Sequence, residues 1–257
     1  MTKEANERLR RVESILVTQL TTPNNQAPYD KLVEKYGIKI DYRSFTEVRP
    51  VAAKDFRKQR INLDEFTAVI FTSKSSIDHF FKVCEELRFK VSEELKYFCL
   101  SEATALYLQK HITYRKRKVF FGKNTLLDLK PTLIKHKKKE RFLLPCSNIS
   151  QSAYTDILNE CEINYQAAEM YQAVSSDISD LENVFYDMIV FFSPLSIDAL
   201  YDNFPEFKQN NTRLAAYGAT TIKAMEEKSL IVDIQPTTEQ PSMTSAIETY
   251  IRAANNL

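Results

Sequence analysis

Two stretches of this 257-residue chain share one pattern: FTAVIFTSKSSIDHFF at 66–81 and YDMIVFFSPLSIDALY at 186–201. In each, an apolar β-type run ends at a serine, Ser73 or Ser193, and a helical pattern with Ser-Ile-Asp in its first turn follows. A second strand and a threonine-bearing helix start come next in both, CLSEATALYL (99–108) and AYGATTIKAM (216–225). That register aligns Gly218 with Ser101 and Thr221 with Thr104. Strand–helix–strand alternation requires parallel strands joined by crossover helices. Near-continuous apolar runs, rather than alternating ones, mean sheets covered on both faces.

A second similarity lies around the first. ILVTQL…YDKLVEKYGIKIDYRSFTEV (15–48) and FLLPCSN…YTDILNECEINYQAAEMYQAV (142–174) both run strand, loop, helix, strand and a further extended segment. The two kinds of unit alternate along the chain, which implies one domain inserted into another. The expected outer domain takes 1–48 plus 175–257, and the inner one 49–174. The extended segments FTEVRP (45–50) and EMYQAV (169–174) are the two crossings, and a pair of crossings makes a hinge. Further strands are expected at KVFFG and IVDIQP, and the charged N-terminal stretch MTKEANERLRRVESILVTQL reads as helical at its start.

Bulk properties narrow the function classes. Lys+Arg 35 against Asp+Glu 34 leaves a net charge of +1, which argues against a nucleic-acid-binding protein at the level of the whole chain. Apolar runs such as MIVFF are too short to span a bilayer, and the N-terminus has no apolar core of a secretory signal. Cys84, Cys99, Cys146 and Cys161 form no C-x-x-C pair, and the three histidines, His79, His111 and His136, lie apart. No metal site is therefore expected. These features read as a reduced, cytoplasmic protein. Phosphate-loop and dinucleotide fingerprints are absent from a chain with only three glycines.

Taken in order, ILVTQL, VIFTSKSSIDHFF, CLSEATALYL, LLPCSN, MYQAV, IVFFSPLSIDAL, AAYGATTIKAM and PSMTSAIETYI resemble the uroporphyrinogen-III synthase family over nearly the whole chain. The resemblance implies an α/β fold of two domains with parallel sheets flanked by helices, one inserted in the other and joined by a two-stranded β-ladder. It implies a lyase of tetrapyrrole biosynthesis, a monomer without cofactor or metal, acting on hydroxymethylbilane. That linear tetrapyrrole loses its terminal hydroxyl, inverts its last pyrrole ring through a spiro intermediate and closes. Tyr171 in EMYQAV matches the family's ladder tyrosine, proposed to assist departure of the hydroxyl. Gln19 and Cys146 stand where arginines are common in the family.

The substrate carries several carboxylates, and helix N-termini favour anions through free amides and the helix dipole. Ligands of open parallel sheets bind beyond the carboxyl ends of the strands. The candidate binding residues are therefore Ser73, Ser101 and Thr104 in one domain and Ser193, Gly218, Thr220 and Thr221 in the other. Each also has a plainer reading as a helix cap or strand-end turn. The basic runs RKRK (115–118) and KHKKKER (135–141) carry no interleaved aromatics and read as solvated surface. The competing reading is a non-catalytic two-domain module that binds an anionic ligand or nucleic acid through that basic surface.

Overall fold

A computed structural model describes residues 8–149 and 152–255. In chain order the elements begin with β1 (Ser14–Val17), α1 (Pro23–Tyr36), β2 (Lys39–Tyr42), β3 (Thr46–Pro50) and α2 (Ala53–Lys58). There follow β4 (Ala68–Phe71), α3 (Lys74–Glu86), β5 (Lys96–Cys99), α4 (Glu102–Tyr107), β6 (Val119–Phe121) and α5 (Leu126–His136). Next come β7 (Phe142–Ser147), α6 (Ser152–Glu160), β8 (Tyr165–Ser175), β9 (Met188–Phe191) and α7 (Pro194–Asn203). The chain closes with β10 (Arg213–Ala216), α8 (Ala219–Glu227) and α9 (Met243–Ala254).

The described residues fall into two compact units, one holding those up to Glu47 and those from Val174, the other Val48–Ala173. The first unit has a sheet of order β10-β9-β1-β2, parallel throughout. The second has the order β3-β8-β7-β4-β5-β6, parallel from β8 to β6. The repeated stretches explain these orders. The strand pair β4 and β5 corresponds to β9 and β10, and β7 and β8 correspond to β1 and β2. The chain therefore builds β5-β4-β7-β8 in one unit and β10-β9-β1-β2 in the other. Strands β3 and β8 form the expected ladder, and it continues the six-stranded sheet. Val51 N–H donates to the Met170 carbonyl and Ser176 N–H to the Phe45 carbonyl, so these segments run antiparallel.

Both sheets bury two faces. Val69 and Phe71 of β4 enter one apolar cluster while Ala68 and Ile70 enter another. In β1, Ile15 and Val17 take one side and Leu16 the other. This two-residue period is what a pleated strand imposes. The crossover helices start on hydroxyl caps. Ser73 Oγ accepts from Ser76 N–H at 3.1 Å, and Ser193 Oγ accepts from Ser196 N–H at 3.3 Å with Pro194 opening the helix.

Two sequence expectations need correction. IVDIQP forms no strand; it touches the sheet through one bridge, Ala215 to Ile234. The Asp233 carboxylate supplies the acceptor for Leu214 N–H, at 2.9 Å, that a strand carbonyl would otherwise provide. Its side chain is 1 % exposed and is satisfied by Arg8 at 2.7 Å, Gln209 at 3.0 Å and Arg213 at 3.4 Å. A buried carboxylate persists only with such partners. The helical N-terminus falls largely on residues 1–7, outside the described residues, and Arg8–Val12 are not helical. Tertiary bonds hold that segment instead. Arg10 N–H donates to Tyr250 Oη and Val12 N–H to Asn255 Oδ1.

Candidate functional site

In the unit Val48–Ala173, the carboxyl ends of β4 and β5 lead into helices through Ser73 and Ser101. Ser73 Oγ is committed to the α3 cap, while Ser76 Oγ donates back to the Ser73 carbonyl at 2.7 Å. Ser101 has extended backbone, φ −138°, and its Oγ accepts from Thr104 N–H at 3.2 Å. The same Oγ lies 3.0 Å from Thr104 Oγ1, so the two hydroxyls satisfy each other. Thr104 is buried and Ser101 half-buried. The serine that aligns with Gly218 is thus a complete helix cap.

The other unit repeats the layout, with glycine in the place of Ser101. Ser193 caps α7 as Ser73 caps α3, and Ser196 Oγ donates to the Ser193 carbonyl at 2.6 Å. At the end of β10 stands Gly218, with φ +88° and ψ 148°, a backbone region open essentially to glycine alone. Without a side chain, Gly218 gives α8 no side-chain cap. Thr220 is exposed beside it. Thr221 is 1 % exposed, and its Oγ1 is buried with no hydrogen-bond partner. A buried hydroxyl left unpaired costs about 1–3 kcal/mol. The first-turn amides of α8 and an unsatisfied hydroxyl thus lie together at the amino end of that helix.

Tyr171 lies on β8 in the six-stranded sheet, 8 % exposed and within the core cluster. A bulge places it. Cys146 pairs with Glu169 but Ser147 pairs with Tyr171, so Met170 is the extra residue. Strict alternation would send Met170 and Tyr171 to opposite faces, whereas both are packed in the same cluster. The Tyr171 ring stacks on His79 from α3, with centroids 4.8 Å apart and planes 19° apart. Sequence reasoning assigned His79 nothing, and no local spacing links two residues so far apart in the chain. Burial, the dominant cause, holds the His79 imidazole below its ordinary value; Asp78 pulls the other way.

Other candidates separate from this chemistry. Burial pushes the Cys99 and Cys84 thiols up to about 12 and Cys146 to about 11, which leaves them protonated and inert at neutral pH. Among the described residues, no cluster of three His, Cys, Asp or Glu could hold a metal ion, and no helix is long and apolar enough to cross a membrane. The basic runs are partly neutralised. Arg115 pairs with Glu93, Lys118 with Glu94, Lys137 with Glu162 and Arg141 with Glu65. A 740 Å³ cavity lined by Phe45, Tyr186, Phe204 and Phe207 lies by the segments entering β9 and β10, and none of the expected site residues lines it.

The model of the family described as Uroporphyrinogen-III synthase HemD matches residues 27–248. The chain belongs to the uroporphyrinogen-III synthase family. A uroporphyrinogen-III synthase from Chlorobaculum parvum is 24% identical over 253 residues, spanning 92% of this chain and 98% of that protein. The crystal structure of uroporphyrinogen-III synthetase from Helicobacter pylori is similar, with TM-score 0.52 and 20% identity over 93% of this chain and 97% of that one. At that identity the likeness establishes the shared fold. The family match includes Ser73, Ser101, Thr104, Tyr171, Ser193, Gly218, Thr220 and Thr221 within its bounds.

Proposed function

We propose that this protein is an active uroporphyrinogen-III synthase, a lyase that converts hydroxymethylbilane to the ring-inverted macrocycle with loss of water. Family membership supports the activity. The structural observation that carries the reading is the unsatisfied Thr221 hydroxyl behind Gly218 at the start of α8. A substrate carboxylate brought to that helix end accepts from the first-turn amides, with Thr220 beside it, and from Thr221 once the hydroxyl is uncovered. Ser193 in the same unit, and Ser73, Ser101 and Thr104 in the other, contribute chiefly by shaping helix starts, because their hydroxyls are engaged within the protein.

Tyr171 is the proton donor in this reading. Its phenol protonates the departing hydroxyl as the carbon–oxygen bond breaks, and water leaves. Holding the chain ends together supplies much of the remaining acceleration, because ring closure is an entropy problem. The protein works as a monomer in the cytoplasm in this reading.

The test couples porphobilinogen and its deaminase to this protein, oxidises the products and separates the isomers. Isomer III above the deaminase-only control supports the synthase. Isomer I alone, the spontaneous product, leaves the non-catalytic anion-binding module as the reading. Tyr171→Phe is expected to lower isomer III by 10²-fold or more while urea unfolding stays close to wild type.

A further inference from the structure

We propose that His79 is a positioning residue for Tyr171: its imidazole, stacked on the phenol ring from α3, fixes the direction in which the hydroxyl points. The inference rests on Tyr171 being the proton donor. Three observations lead to it. The rings lie 4.8 Å apart and 19° from coplanar, which is stacking rather than incidental proximity. The β8 bulge packs Tyr171 into the core cluster on the face that meets α3. His79 Nδ1 is buried with no hydrogen-bond partner. An apolar ring would fill the same space without the penalty of an unpaired polar atom. The site therefore keeps a polar, titratable ring against the phenol at a cost to stability.

The groups acting on His79 are Asp78 and Lys82 on its own helix, and Tyr171 faces it from β8. Asp78 is shared, because it accepts from Tyr107 Oη at 2.9 Å and lies 2.9 Å from His111 Nε2. Burial favours the neutral ring and holds the imidazole below its ordinary value. Protonation turns the neutral stack into a cation–π contact on a partly buried ring, which changes how the two rings sit against each other. Activity should fall on the acid side, below the ordinary imidazole value of about 6.5.

The experiment uses full-length protein labelled with ¹³C-tyrosine, the Tyr171 ring signal being the one lost in Tyr171→Phe. In wild type that signal is expected to shift as pH falls below the ordinary imidazole value of about 6.5, and in His79→Ala to move at every pH. His79→Ala should lower the rate of isomer-III formation on the order of 10–100-fold, the size expected of a misplaced group. His79→Phe keeps a stacking ring, so it should rescue most of the neutral-pH rate and abolish the acid limb. A Tyr171 signal unmoved in folded His79→Ala, or an unchanged acid limb in His79→Phe, overturns the proposal. Wild-type isomer-III output from Tyr171→Phe sinks the proton-donor reading instead, and the NMR signal still decides whether His79 clamps the ring.

Discussion

The two helix starts at Ser101 and Gly218 occupy matching places in two sheets of matching order, and they share the threonine of the first turn while the capping residue changes from serine to glycine. Ser101 caps α4 and satisfies Thr104, which leaves that junction chemically finished. Gly218 does neither, and Thr221 behind it keeps an unpaired hydroxyl. Repeated topology supplies two equivalent positions, and the side chains at them leave one threonine hydroxyl paired and the other unpaired. Stability favours the paired arrangement.

Exchanging the two residues tests this directly. Gly218→Ser forces a β-carbon onto φ +88°, where open space around the position gives no relief, and should cost about 1–3 kcal/mol in urea unfolding. The reciprocal Ser101→Gly should cost a few tenths for the cap and about 1 kcal/mol more for the buried Thr104 hydroxyl it leaves unpaired. A Ser101→Gly protein as stable as wild type would dissolve the contrast.

Valine in place of each threonine gives a smaller and more diagnostic effect. Thr104→Val breaks the bond to Ser101 and should destabilise by about 1 kcal/mol. Thr221→Val removes a hydroxyl that has no partner, so stability should hold or rise by about 1 kcal/mol while isomer-III formation drops. A Thr221→Val enzyme that is both more stable and fully active would show the hydroxyl to be idle.

The slightest difference is in alkaline response. All four cysteines lie in the unit Val48–Ala173. Burial raises the Cys84 and Cys99 thiols to about 12 and Cys146 to about 11, so the folded state holds protons that the unfolded chain releases near pH 8.5. That stabilisation is complete below the unfolded value and is lost as pH rises toward the folded one. The other unit has no thiol; its Tyr186, raised to about 12 mainly by burial, begins to matter only above about pH 10. Thiol alkylation during urea titrations from pH 8 to 10 should therefore show the cysteine-bearing unit weakening first.

Much of this architecture was legible in the sequence, because repeats constrain topology more tightly than propensities do. FTAVIF and YDMIVFF declared equivalent strands, and the equivalence extends to sheet order. The failure at IVDIQP has a physical cause, since an apolar run cannot announce that Asp233 will occupy its ladder position. In the candidate site the sequence offered residue types but not their hydrogen-bonding state. Thr221 and Thr104 look alike in sequence, and only packing shows one hydroxyl paired and the other not. The stack of His79 on Tyr171 left no local signal, because a strand bulge and a distant helix create it jointly.

The pairing of β1 with β9 also sets an order of events during synthesis. Leu16 is made early, yet its neighbour Ile189 arrives only after the whole of Val48–Ala173 has been translated. The strands β4 to β8 need nothing beyond Ala173 for their own pairings, apart from the end of β8. The inserted unit can thus close its sheet on the ribosome while β1, with α1 and β2 beside it, still presents an unpaired edge. The half-built outer sheet, rather than either finished sheet, is where a nascent chain of this protein is most exposed to aggregation and most in need of a chaperone.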